Sequence, residues 1–279
     1  MADTQNAIYA QAYSENIMQL AQQKYSKLLS SVYLKPNVRG KTFFQDQIGQ
    51  WAMEIKGARN TQTPNNDPTL ARRMGIMIDY HDNRLLDRGD ELKSISDPRS
   101  AYTIAAAQSL GRQIDDNIVD SIGGDSFTGE TGSTTAPTAT TIAASASSMT
   151  LTKILEVKKT LDDKDVEMED RFFVVNPTVL SSLLDVTQIG SADYNSVKAL
   201  VRGEMDTYLG FKWIMSTRVN ESDIGYAYQK YGLCAALAAS PMVRTDERKD
   251  LSYSWQVYYE LNMGAVRLEE DRVVRLIEG

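Results

Sequence analysis

Apolar residues recur every three or four positions along the first segment, at Ala10, Tyr13, Ile17, Leu20, Ala21 and Leu28. This spacing predicts one amphipathic helical stripe between Met1 and about Leu34. A stripe of that kind has to be covered, either by the chain's own core or by another chain. From Lys41 the period changes to two. Trp51, Met53 and Ile55 alternate with Ala52, Glu54 and Lys56, and Met74, Ile76, Ile78 and Tyr80 alternate with Arg73, Gly75, Met77 and Asp79, which predicts two facing strands. The stretch from Arg59 to Pro68 between them is too rich in Pro and Asn to sit inside a sheet. Together these segments predict a long hairpin, Lys41 to Leu86, with Arg59, Arg72 and Arg73 flanking its tip. An isolated two-stranded hairpin is marginal in water, so one this long needs a surface to lie upon.

Asp97-Pro98 then has the pattern of an N-cap followed by the first helical residue. Ile104, Ala107, Gly111, Ile114, Ile118 and Ile122 repeat at helical spacing, and Gly123-Gly124 predicts a left-handed stop. About 25 residues at 1.5 Å each make a rod of roughly 37 Å, a spine for the fold. Gly123 to Ser148 is small and hydroxyl-rich and predicts an extended connector. Beyond it, Leu151, Ile154, Leu155, Lys158 and Leu161 predict a short amphipathic helix, Phe172 to Val175 a strand, Thr178 to Leu184 a helix capped by Asn176-Pro177, and Phe211 to Ser216 a strand. This is an α+β module over roughly 150–240, with Gly232 to Ala238 as its expected core strand. Tyr253 to Leu261 alternates again, Met263-Gly264 predicts a turn, and Arg272 to Ile277 predicts a closing strand. No helix follows to cover these last strands. They are therefore expected to pack on the spine, which makes the 150–240 module an insertion.

Composition narrows the function classes. The chain has 279 residues, 42% of them apolar, enough for one large or two ordinary packed domains. No run approaches the ~18 to 20 apolar residues of a membrane span, and the first twenty residues lack the basic and apolar regions of an export signal, so neither membrane insertion nor export is expected. A net charge of -7 offers no basic footprint for gripping phosphates. The single cysteine, Cys234, lies in an apolar stretch and predicts a buried, inert thiol in a chain made in a reducing cytoplasm.

Catalytic and cofactor motifs are weak. The one histidine, His81, stands between Asp79 and Asp82, but alternation puts Asp79 and His81 on one strand face and Asp82 on the other, as expected of a solvated strand end. Any triad would have to use His81, and nothing marks a nucleophile beside it. Gly129 to Ser133 lacks the Lys-Ser/Thr ending of a phosphate loop. The acidic run Asp162 to Asp170 lacks the mid-loop glycine of a calcium site and predicts a solvated helix end. Asp115-Asp116 predicts one outward carboxylate and one paired with Arg112. The cluster of Tyr253, Tyr258 and Tyr259 beside Trp255 predicts sheet or interface packing. No catalytic residue, cofactor or metal is expected.

The order of parts, together with the phrases Arg171 to Pro177 (RFFVVNP), Leu209 to Ser216 (LGFKWIMS) and Tyr253 to Ile277, resembles the major capsid protein of tailed double-stranded DNA bacteriophages. This is the Hong Kong 97-type fold, also found in encapsulin shells. The resemblance spans nearly the whole chain and rests on order and spacing more than on any one motif. It implies an N-terminal arm (1–40), an extended loop (41–92), a peripheral domain with the spine helix and connector (93–149), an axial domain (150–240) and returning peripheral strands (241–279). It implies a structural protein that assembles with copies of itself, as hexamers and pentamers, into an icosahedral head in the host cytoplasm. The shell would enclose double-stranded DNA without reading its sequence. The chain has no long, charged, helical N-terminal segment to act as a built-in scaffold, so a separate scaffolding protein is expected, with a portal and, as an optional addition, a decoration protein. Tyr13, Ile17, Trp51, Arg59, Arg72 and Arg73 are the subunit-interface candidates. Some relatives cross-link a loop lysine to a neighbour; Lys56 lies near the loop's middle, and nothing identifies its partner. Two alternatives stay open: an encapsulin-like compartment, and a soluble α+β enzyme built around Asp79 and His81.

Overall fold

In the computed structural model, residues 22–63, 65–87, 98–144, 149–185, 207–219, 223–238 and 242–278 are described. In chain order the strands are β1 (Tyr33–Lys35), β2 (Thr42–Ile48), β3 (Leu70–Ile76), β4 (Ile78–Leu86), β5 (Phe127–Thr128), β6 (Thr134–Thr135), β7 (Thr140–Ala144), β8 (Arg171–Val175), β9 (Thr207–Tyr208), β10 (Phe211–Met215), β11 (Asp223–Gln229), β12 (Leu233–Leu237), β13 (Met242–Arg248), β14 (Ser254–Arg267) and β15 (Val273–Glu278). The helices are α1 (Pro98–Gly123), α2 (Leu151–Asp162) and α3 (Pro177–Asp185). Asp97, the expected N-cap of α1, lies outside the described residues.

The chain divides into two compact units. The smaller comprises the described residues of Met1–Tyr25, Asp79–Arg112 and Ser240–Leu261. In it β13 pairs antiparallel with the first half of β14, from Met242 opposite Glu260 to Arg248 opposite Ser254, and β4 also pairs with β14.

The larger unit holds Ser26–Ile78, Gln113–Ala239 and Asn262–Gly279. Its main sheet runs β7-β15-β11-β8-β10-β9. Every residue of β8 is buried, as expected of a central strand with both faces covered. On one face Phe173 stacks on Trp213 with ring centroids 4.5 Å apart and meets Phe211 edge-on at 5.5 Å. Ile154, Val157 and Leu161 of α2 and Leu180 and Leu183 of α3 close over this cluster. Thr150 caps α2 by accepting from the Lys153 amide. On the other face Tyr228 is fully buried and shares a 2.7 Å hydrogen bond with Ser31.

A second cluster joins Phe43, Val38, Met77, Cys234, Ala236, Val266 and Leu268. It lies where β12 pairs in parallel with β1 and antiparallel with the second half of β14. A small sheet, β2-β3-β5-β6, stands beside it. Phe43 faces Gly75 across that ladder, and a Cβ at position 75 would fall 2.2 Å from the Phe43 ring, so the pairing needs glycine there.

Several sequence expectations are corrected. Trp51 to Lys56 is not a strand: the ladder lies earlier, at Thr42–Ile48 against Leu70–Ile76, where Phe43 supplies a buried anchor. The strand expected from Met74 to Tyr80 breaks at Met77, whose amide turns to Lys41 O at 2.8 Å while its side chain enters the second cluster. Ile104 and Ala107 are exposed, and the buried stripe of α1 is carried by Leu110, Ile114, Ile118 and Ile122. Neither glycine at the helix end has a left-handed φ. Gly124 is needed for room, since its amide bonds Asp120 O and a Cβ would sit 2.7 Å from that oxygen.

The hydroxyl-rich connector contributes β5, β6 and β7, which pair with β3, β5 and β15, Thr and Phe being favourable strand residues. The core strand of the α+β module is β11, not Gly232 to Ala238, which belongs to the β1-β12-β14 ladder. Met263-Gly264 is no turn; β14 runs through it, with Gly264 opposite Ala236. The closing strand pairs with β11 and β7, and its Val274 and Leu276 pack in the cluster under the two shorter helices.

Candidate assembly interface

Between β2 and β3 the chain leaves the ladder and runs out and back. Gly49 N donates to Thr69 O at 2.7 Å, Asn66 Nδ2 donates to Glu54 Oε1 at 2.9 Å, and the reversal comes at Ala58 to Thr61, where Asn60 takes φ 58°. Asn tolerates that left-handed conformation better than most side chains. Pro68 has no amide hydrogen to offer a ladder. Among the described residues, the Gly49–Thr69 and Asn66–Glu54 bonds are what tie the two legs to each other.

Along them Trp51 is 68% exposed, and Met53 and Ile55 are each 97% exposed. Ile48 and Leu70 continue the apolar stripe to the base. There they line an open groove of about 710 Å³ with Asp46, Arg72, Thr128 and Glu130. Single exposed apolar residues are ordinary, but a contiguous run along one projecting segment marks a surface built to be covered.

The candidates from sequence are placed unevenly. Tyr13 and Ile17 lie outside the described residues. Trp51 is on the outgoing leg, and Arg59 is exposed at the reversal. Arg72 and Arg73 are not at the tip but within β3, since that strand begins at Leu70, earlier in the chain than the alternation implied. Arg72 pairs with Asp46 across the ladder at 2.6 Å and lies over the Phe44 ring. Arg73 is buried, donating to Leu268 O at 2.8 Å and pairing with Glu270.

Sequence reasoning missed the polar groups that hold the interior. Asp115 is fully buried, where the sequence predicts one outward carboxylate and one meeting a basic partner such as Arg112: it accepts from the Ser26 hydroxyl at 2.5 Å and from the amides of Lys27 and Leu28 at 3.0 and 3.1 Å. Arg112 instead donates to Gln22, and Asp116 pairs with Arg218. Arg267, 1% exposed, donates to the carbonyls of Ile122, Gly124 and Pro137. Its sequence signal, a charge ending an otherwise apolar alternation in β14, is slight.

The acidic run is not simply solvated either. Asp162 pairs with Arg171 at 2.6 Å, Asp170 with Lys212 at 2.7 Å, and Glu167 with Arg272. The Arg272 hydrogen bond holds the Glu167 carboxyl below its usual range, and the Lys212 hydrogen bond does the same for Asp170.

As alternation predicted, His81 and Asp79 are exposed on one face of β4, while Asp82 turns to the other and accepts from the Tyr259 hydroxyl at 2.6 Å. Among the described residues no group of three or more His, Cys, Asp or Glu side chains could hold a metal ion. Cys234 is buried, and desolvation pushes its thiol up to about 11. No helix among the described residues is long and apolar enough to cross a membrane.

Comparison with known proteins agrees with this layout. The profile of a family described as phage capsid protein matches residues 5–277. No curated protein matches in sequence. Among solved structures, the capsid of the cyanophage P-SCSP1u superposes with a TM-score of 0.79 at 15% identity, covering 98% of this chain and 94% of that one. The capsid of a native GTA particle gives 0.73 at 13% identity, with 100% and 98% covered. The capsid of Ralstonia phage GP4 gives 0.71 at 12% identity, with 99% and 96% covered.

Proposed function

The chain belongs to the phage capsid protein family and has the Hong Kong 97-type fold, and from that premise we propose that it is the major capsid protein of a tailed-phage head. Copies assemble through hexamers and pentamers into an icosahedral shell around double-stranded DNA. The observation that carries this reading beyond the family is the projecting segment 49–69 with Trp51, Met53 and Ile55 in water. Each such side chain gains about 1.5 to 3 kcal/mol when covered, and a neighbouring copy is the cover that every subunit of a shell has at hand.

In this reading 41–92 is the extended loop, α1 the spine, 150–240 the axial domain meeting its equivalents at the capsomer axis, and 93–149 with 241–279 the periphery. Trp51, Arg59 and Arg72 meet neighbours, as do Tyr13 and Ile17 of the arm. Arg73 serves the loop from inside its own chain. Assembly takes place in the host cytoplasm with a separate scaffolding protein and a portal, and a decoration protein is an optional addition. A net charge of -7 suits a container whose wall should not pin the genome through many phosphate contacts. The family match lends no support to a cargo compartment or to an α+β enzyme.

Limited trypsin digestion tests this reading. The dissociated subunit is expected to be cut first after Lys56 and Arg59, and fast-sedimenting particles are expected to resist at both sites. Equal cutting in particles and free subunits would refute a role for the loop in subunit contacts.

A further inference from the structure

A single turn, Leu268 to Arg272 between β14 and β15, is tied to three other parts of the larger unit at once. Toward the extended loop, Leu268 O accepts from Arg73 Nε and from Gln47 Nε2, both at 2.8 Å, and Glu270 pairs with Arg73. These two donors stand on β3 and β2, one on each leg of the loop's base. The Leu268 side chain also packs in the cluster that holds Phe43 of β2. Toward the loop between α2 and β8, Asp271 pairs with Lys164 at 2.9 Å, and Arg272 pairs with Glu167. Toward the turn before β12, the Leu268 amide donates to Gly232 O at 2.8 Å, and Gln229 N donates to Arg272 O at 3.1 Å. A Cβ at position 232 would approach Arg272 Cβ to 2.9 Å, so the two turns are in close contact. From the far edge of β2, Lys35 Nζ of β1 holds Phe44 O at 2.7 Å.

We propose that this turn positions the extended loop, with Arg73, Gln47 and Glu270 as positioning residues that fix the direction in which the 49–69 segment leaves the fold. The proposal rests on the loop being an assembly contact, and it adds the device that aims it. Leverage makes such a device necessary. The outgoing leg is about nine residues, roughly 30 Å at 3.3 Å each, so an angular play of about 10° at the base carries the tip about 5 Å. A packed contact does not tolerate that, because interiors and interfaces fit to within an ångström or so. The ladder between β2 and β3 holds the legs to each other but does not aim the pair. The bonds to Leu268 O and Glu270 do, because they join both legs to one fixed turn. Burial of Arg73 keeps its pair with Glu270 from being screened as an exposed pair would be.

The test is a spin-label distance in the unassembled full-length subunit, between Lys56→Cys on the loop and Thr152→Cys on α2, with native Cys234 buried. A narrow distribution is expected, at least twofold broader in Glu270→Gln and in Gln47→Ala. The swap of Arg73→Glu with Glu270→Arg is expected to narrow it again. Gln47→Ala keeps the test open if the buried swap does not fold. An already broad distribution, or variants that lower Tm while leaving it narrow, would overturn the proposal. Neither result depends on shell formation, which wild-type assembly tests separately.

Discussion

Arg267 Nη1 donates to Ile122 O at 2.7 Å, placing a buried guanidinium on the last carbonyls of α1. The same group reaches Gly124 O and Pro137 O, so one side chain ends the helix and pins the segment leading to β7. A cation at a helix C-terminus also meets the negative end of the helix dipole. Desolvation draws its pKa down, the opposing charges of Glu270 and Asp125 being smaller influences.

Removing this group should be costly, because three carbonyls, that of Ile122 fully buried, lose a charged donor together. Arg267→Met is expected to destabilise the unassembled subunit by about 3 kcal/mol or more. Arg267→Lys should rescue only part of that, since one ammonium cannot reproduce the fork. Urea unfolding midpoints check both.

Asp115 holds the segment entering β1 in a comparable way. Asp115→Ala leaves the amides of Lys27 and Leu28 without their acceptor and should cost about 2 to 3 kcal/mol. Asp115→Asn keeps one acceptor oxygen and should cost less. Hydrogen exchange of these two amides distinguishes local release from global unfolding.

Acid should loosen the fold through identifiable carboxylates. The Tyr259 hydrogen bond holds Asp82 below its ordinary value of 3.8, and the Arg272 hydrogen bond holds Glu167 below 4.5. A carboxylate depressed in the folded state contributes stability that is complete above its unfolded pKa and is lost as pH falls through the folded one. Stability should therefore decline from about pH 4.5 downward. Both groups are well exposed, so each contributes little. Asp82→Asn is expected to flatten the curve slightly, measurable by thermal unfolding at a series of pH values.

Cys234 should behave as a core side chain. With its thiol pushed up to about 11, it is expected to react with a disulfide reagent at pH 8 only as fast as the subunit unfolds. Labelling within seconds in native buffer would contradict the buried position.

The parts legible in the sequence were those with strong periodicity or punctuation. The long helix from Pro98, the strand Phe172 to Val175 and the strand from Phe211 appear where the pattern put them, the last preceded by a Leu-Gly turn that the pattern did not predict. At that turn Leu209 and Gly210 both take positive φ, as a tight hairpin turn requires. The extended loop was legible as a hairpin but misregistered. Trp51, Met53 and Ile55 alternate like a strand, yet no described residues cover them, and alternation alone cannot tell a buried face from one waiting for a partner. Strand partners were not legible, since β15 (Val273–Glu278) pairs with β7 (Thr140–Ala144), far earlier in the chain. The polar anchors Asp115, Arg73 and Arg267 were invisible because each is defined by carbonyls and amides far away in sequence.

If the exposed stripe is an assembly surface, charge placed on it should stop assembly without unfolding the subunit. Met53→Asp with Ile55→Asp is expected to leave Tm within about 2 °C, because neither side chain is buried in the subunit.

The central claim is met most directly by negative-stain electron microscopy of the purified wild-type chain with its sedimentation profile, alone and with a scaffold-containing lysate. Closed shells or capsomer rings, absent from the Met53→Asp, Ile55→Asp variant, are the predicted result. A uniformly monomeric wild-type chain of 31.1 kDa under all these conditions would contradict the account.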